Sequence, residues 1–251
     1  MKTTLSLRAR DQLQSERFEP LLLSDWVDAV FLHYAVKPEL LQPFVPFPLD
    51  LRDGMAWVSL VAFTMKRMRP RQGGAAGTCL FKPIATHEFL NVRTYVTHKG
   101  EPGIHFLAEW LPNRLSVVLG PPVFGLPYRH GRNRYRHDMD TGFAGEVVDA
   151  ASGAALRYRA KPPLDGSLHE AEAGSLAEFL LERYNAFTTW CGLKRRFRVW
   201  HPAWQHVELD AVVEENALMA CTGAWAHEAK FIGAHYAPGY QDVWMGRPRL
   251  V

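Results

Sequence analysis

Tyr128, Arg129 and His130 bring a phenol, a guanidinium and an imidazole together directly after Gly125 and Pro127. A glycine and a proline at that spacing shape a turn that aims the following side chains. Tyrosine offers a hydroxyl, arginine a planar fork for a carboxylate, and histidine a group that titrates near neutral pH. The trio is therefore a candidate catalytic set for proton transfer on an organic acid or carbonyl compound. The competing account is a surface turn of solvated charges. A second group contains Glu88, Asn91, Arg93, His105 and Glu109. In extended chain Asn91, Arg93 and Tyr95 share one face, and His105 and Glu109 share one face of the next segment. An even hairpin register brings these polar residues to one side, where they would bind an anionic or keto-containing ligand. The competing account is a structural ion pair of Arg93 with Glu88 or Glu109. His33 and Tyr34 fall mid-strand on opposite faces, and one of them must face inward. Tyr34 joins the ligand-binding candidates, with core packing as its alternative. His227, Glu228 and His235 lack metal-motif spacing, so neither a metal site nor a cofactor is expected.

The elements that carry these residues read mostly as strands. Segments 27–36 (VDAVFLHYAV) and 55–65 (MAWVSLVAFTM) are rich in β-branched and aromatic residues and contain no breaker. Further strands are expected over 91–96 and 104–110, joined by a Gly- and Pro-containing hairpin loop. Residues 115–119 read as extended, stopped by Gly120-Pro121-Pro122. Residues 132–139, 145–148 and 154–160 add three more strands. Segments 204–213, 218–224 and 242–245 complete the set. Residues 69–78 (RPRQGGAAGT) read as a loop, a flap over a site or a plain surface segment. Pro38 opens one short helical turn. One longer helix is expected from Ser175, which forms a capping box with Glu178, through Phe187 to a stop at Gly192. Many short strands with few helices predict a mainly β (α+β) fold. Its core is a mostly antiparallel sheet, curved or closed, with helices outside.

The chain has 251 residues, with 47% hydrophobic and 22% charged residues. That composition is globular, and the length suits one domain. We expect an arm over 1–23 and a single domain over 24–251. The net charge of +3 is small, and its basic segments are scattered among 26 acidic residues. That argues against nucleic acid as a partner. No stretch has the length of a membrane span, and no signal-peptide core follows the N-terminus. Cys79, Cys191 and Cys221 are an odd set without CxxC spacing, which reads as reduced thiols in a cytoplasmic protein.

Several stretches, in order, resemble a known family. These are FLHYAVKPELLQPFVP, GMAWVSLVAFTM, NVRTYV, GEPGIHF, GLPYRHG, SLAEFLLERY and AHYAPGY. They resemble the YqjF-like bacterial family of unknown function, which is similar in turn to acetoacetate decarboxylase and its relatives. The resemblance spans roughly residues 24 to 251. It implies a large, mainly antiparallel sheet rolled into a cone or barrel around a small-molecule cavity with a few peripheral helices, in a fold whose members often form oligomers. In the decarboxylases a cavity lysine forms a Schiff base with a keto acid, and its loop reads GYPKK. Here that loop reads GLPYR, which places Tyr128 and Arg129 at the two lysine positions. Arginine keeps its proton in proteins, and tyrosine has no amine, so neither forms a Schiff base. The resemblance thus implies the cavity without the lysine chemistry. The ligand expected is a small organic acid or carbonyl compound, with lyase-like or isomerase-like proton transfer as the enzymatic form. The alternatives are a regulatory or protein-interaction protein that keeps the fold, and a single-stranded nucleic-acid binder.

Overall fold

A computed structural model describes residues 4–162 and 166–251. In chain order its helices are α1 (Leu5–Gln14), α2 (Pro38–Leu41), α3 (Gly74–Phe81), α4 (Arg114–Phe124), α5 (Leu176–Leu181) and α6 (Ala217–Ala220). Its strands are β1 (Leu22–Val36), β2 (Ala56–Pro70), β3 (His87–His98), β4 (Glu101–Leu111), β5 (Tyr128–Asp138), β6 (Gly142–Asp149) and β7 (Ala155–Ala160). They continue as β8 (Asn185–Trp190), β9 (Leu193–Trp200), β10 (Val207–Leu209), β11 (Ala211–Asn216), β12 (Lys230–Met245) and β13 (Arg249–Leu250).

The long apolar strands pair in sequence, β4-β3-β2-β1, and β1 then pairs with β12. The far end of β12 meets β9 through Trp244–Trp200 and Met245–Val199. β8 pairs with β9 and also with β4. The path therefore returns to its start, and seven strands form a ring. β5, β6, β7 and β11 continue outward from β4 as a second sheet. Two pairings, β4–β5 and β4–β8, are parallel, so the sheet is mixed and not wholly antiparallel. The Trp110 indole N–H ties the two sheets by donating to Asp149 Oδ1 at 2.8 Å.

β8 closes the ring only because the chain opposite it is thin. A Cβ on Gly103 would stand 2.6 Å from both the Asn185 carbonyl oxygen and the Phe187 ring. The glycine of the GEPGIHF stretch is thus a close-approach site. Residues 185–190 were expected in a helix. The Ser175 cap forms as read, accepting from the Glu178 N–H at 3.1 Å, while Glu178 accepts from the Gly174 N–H at 2.7 Å. The helix nevertheless ends at Leu181, because Ala186 and Phe187 are wholly buried between β4 and β9. Tertiary pairing outweighs local helical spacing there.

Other segments also depart from their local signals. Residues 115–119 are helical, because Asn113 caps α4 by accepting from the Ser116 N–H at 3.0 Å. Most of 69–78 divides between the end of β2 and the start of α3. Residues 218–224 form α6 and a turn rather than a strand. The stretch 204–213 splits into β10 and β11, and 242–245 is the end of the long β12. Within the expected N-terminal arm, residues 5–14 form a helix whose Ala9 and Leu13 are buried; Met1 to Thr3 lie outside the described residues. Among the described residues no helix is long and apolar enough to cross a membrane.

Gly103→Ala should overpack the β4–β8 contact. We expect a loss of about 1–3 kcal/mol, read as a lower urea midpoint at unchanged m-value.

Candidate functional site

Inside the ring lies a cavity of about 360 Å³ with mostly apolar walls. Its floor is built by β3 and β4. Asn91 pairs directly with Glu109 across the two strands, and Arg93 follows on the same face as Asn91. Tyr128, at the start of β5, stands in register with Glu109. These four side chains line the cavity together.

Glu109 is 4% exposed, and its Oε2 has no hydrogen-bond partner. Burial among apolar groups raises its carboxyl to about 8, against a smaller opposing pull from Arg93. At neutral pH this carboxyl is therefore mostly protonated, with a proton available for donation to a bound group. Arg93 is also buried, and burial lowers its guanidinium from the ordinary value. Its Nη2 donates to the Leu180 carbonyl at 3.2 Å, while Nε is unpartnered. No hydrogen bond or ion pair joins Arg93 to Glu88 or Glu109 among the described residues. The structural ion pair weighed from sequence is not formed. Asn91 Oδ1 is likewise buried and unpartnered. Buried polar atoms normally find partners, so three such atoms at one floor indicate a place built for a polar group.

A hydrogen-bonded chain fixes Arg93 from behind. Tyr95 donates to the same Leu180 carbonyl at 2.8 Å, and Ser59 Oγ lies 2.5 Å from the Tyr95 hydroxyl. Tyr95 spends its proton on Leu180, so Ser59 donates to Tyr95. His33 Nδ1, 2.7 Å from Ser59 Oγ, must then be the donor to Ser59. His33 Nε2 consequently accepts from His235 Nδ1 at 2.9 Å. Burial, with the charge of His235 next, keeps His33 well below its ordinary value, so it stays neutral.

Tyr128 packs closely on α4. A Cβ on Gly120 would meet the Tyr128 ring at 2.1 Å, so the phenol fits only against a bare stretch of helix backbone. Burial and the nearby Glu109 push its hydroxyl well above the ordinary value. It is therefore a neutral donor rather than a phenolate.

The structure brings four of the sequence candidates together and separates five. Arg129 alternates away from Tyr128, is exposed, and donates to the Cys221 carbonyl at 3.1 Å. Its guanidinium also stands 5.4 Å over the Trp110 ring. His130 is half-exposed and does not line the cavity. Glu88 lies on the opposite face of β3 from His87 and Phe89, which do line it. Tyr34 packs in the core on the far side of β1, 5.4 Å from the Phe231 ring. His105 does not share a face with Glu109. A bulge at Leu107 makes Val92 pair with Ala108 but Arg93 with Phe106. One extra residue turns His105 to the other side, where Nδ1 bonds the Phe187 carbonyl at 2.9 Å.

The sequence reading missed His87 and His201, both lining the cavity and both lowered to about 4, chiefly by burial. His87 was findable. The alternation His87, Phe89, Asn91, Arg93 extends β3 four residues earlier than its expected start.

The chain matches the DUF2071 family, described as an uncharacterized conserved protein, over residues 24–241, and it belongs to that family. It is 30% identical over 234 residues to uncharacterized protein YqjF of Bacillus subtilis (strain 168), covering 89% of each chain. Among solved structures it is similar to acetoacetate decarboxylase from Legionella pneumophila, with a TM-score of 0.64 and 13% identity. That likeness covers 91% of this chain and 87% of the other. An acetoacetate decarboxylase-like enzyme from Sphingomonas wittichii RW1 gives 0.63 at 15% identity, covering 93% of each. The enduracididine biosynthesis enzyme MppR complexed with pyruvate gives 0.63 at 12% identity, covering 94% and 93%. At these identities the likeness is one of fold.

The Glu109 carboxyl makes stability pH-dependent. The folded state keeps a proton that the unfolded chain releases in the ordinary carboxyl range. Stability from this group is complete below that range and is lost as pH rises to about 8, at up to about 1.4 kcal/mol per pH unit. Glu109→Gln should remove that slope. Urea unfolding of both proteins between pH 5 and 9 should show the variant gaining on the wild type as pH rises, with the buried histidines cancelling in the difference.

Proposed function

We propose that this DUF2071 protein binds a small organic acid or carbonyl compound in the ring cavity, with the ligand's oxygen atoms at Asn91, Arg93, Glu109 and Tyr128. One observation carries this: a protonatable carboxyl and a guanidinium share the floor of an apolar cavity, each with an unpartnered atom. Leaving such groups unmet costs about 1–3 kcal/mol each, and a carbonyl or carboxylate would meet them. Arg93 supplies positive charge to a carboxylate, while Tyr128 and protonated Glu109 donate to a carbonyl oxygen. The cavity is open rather than filled by its aromatic walls, which favours a ligand over a purely structural interior.

The chemistry available is proton transfer beside a carbonyl, of lyase-like or isomerase-like kind. Glu109 titrates near the operating pH, as an efficient general acid or base must. Among the described residues no lysine lines the cavity, and Tyr128 stands at the lysine position implied by the resemblance, so the Schiff-base route has no described residue to run it. That MppR is complexed with pyruvate supports a small oxo acid as the first class to try.

A thermal-shift screen of oxo acids, hydroxy acids, aldehydes and small amides tests this reading. A ligand at 100 times its Kd should add roughly 2.7 kcal/mol. Binding should weaken at least tenfold in Arg93→Gln or Tyr128→Phe and stay unchanged in Arg129→Ala, whose side chain faces away. Hits that ignore both cavity variants would place the site elsewhere.

A further inference from the structure

We infer that the ligand is a single-headed amphiphile: one carboxyl or carbonyl head at the Glu109 floor, joined to an apolar body of about six or more carbons that runs toward the mouth beside α4. This rests on the proposed function and names the ligand class for the same site.

Volume is the first argument. At ~30 Å³ for each water-sized group, a cavity of about 360 Å³ takes roughly a dozen non-hydrogen atoms. A pyruvate-sized molecule would leave about half of it empty. Beyond the floor the walls are chiefly apolar, with Phe63, Phe89, Met65 and Met68, and suit a hydrocarbon body better than a cluster of waters.

The distribution of charge is the second. Arg93 and Glu109 sit in one layer with Asn91 and Tyr128. From Asn91 the wall of β3 continues through Phe89 to His87, ~13 Å of strand. The only other charged side chain that lines the cavity, among the described residues, is Arg183, already paired with Asp50 at 2.7 Å. Both ring nitrogens of His87, Ser116 Oγ and Trp26 Nε1 are further unpartnered polar atoms, on three separate elements. None of them is charged at neutral pH, so none holds a second acidic head.

The mouth is the third. Leu119 and Val123 of α4 line the cavity yet are 43% and 48% exposed. Phe81 and Ile84 line it beside them and are half-exposed. An apolar opening lets a chain pass outward, whereas a compact polar ligand gains nothing from it. Methionine walls adapt to chains of different length.

The test is calorimetric titration of the intact protein with straight-chain 2-oxo acids of four, six, eight and ten carbons. Affinity should rise about fourfold per methylene, the equivalent of ~0.8 kcal/mol, until the cavity is full. Leu119→Lys at the mouth should weaken the ten-carbon acid about fivefold and leave the four-carbon acid unchanged. Val118→Lys, on the exposed side of α4 and not lining the cavity, should change neither. Equal affinity along the series would overturn this inference and leave the head-group site standing. Silence from every member would overturn the head-group site and the inference together.

Discussion

Closure of the ring by β8 is the constraint on which the rest depends. Six residues bridge β4 and β9, and they fit only because Gly103 presents no side chain to Asn185 and Phe187. Thr188, in the same strand, donates to the Phe124 carbonyl at 2.7 Å and so ties β8 to the end of α4. Without this seam β4 would be unpaired at Ile104 and His105, and the ring would stay open between β4 and β9. Cavity and helix placement thus follow from one strand pairing.

The electrostatic consequence is a floor held in an unrelieved state. Arg93 and Glu109 occupy the same apolar interior without pairing, so each is driven toward its neutral form. A direct ion pair would have relieved both and left nothing for a ligand to satisfy. The chain His235–His33–Ser59–Tyr95 meets Arg93 at the shared Leu180 carbonyl, so Arg93 is positioned from one side and unsatisfied on the other. Partial satisfaction of this kind is costly to a fold and marks the floor as the chemically poised part of the interior.

The fold is shared with acetoacetate decarboxylase-like structures, and Tyr128 and Arg129 are the side chains that this chain carries where the resemblance implies lysines. Tyr128 enters the cavity there, and Arg129 turns out of it. Fold likeness at this level is silent about chemistry, whereas the unpartnered floor atoms belong to this chain.

Local patterning specifies the long apolar strands, the capping box at Ser175 and the hairpin that joins β3 to β4. It also determined the pairing of types, with Asn91 and Arg93 on one strand face and Glu109 on the next. These are legible because strand alternation and helix capping are local. Only the tertiary structure decided that Leu107 bulges and removes His105 from the site. It alone made residues 185–190 a strand and carried the floor to Tyr128 through a parallel pairing. Those outcomes rest on contacts between segments up to about eighty residues apart, such as Ile104 with Ala186. No window of sequence contains both partners. Register and burial, set by which strands meet, therefore selected four of nine candidate residues for the cavity.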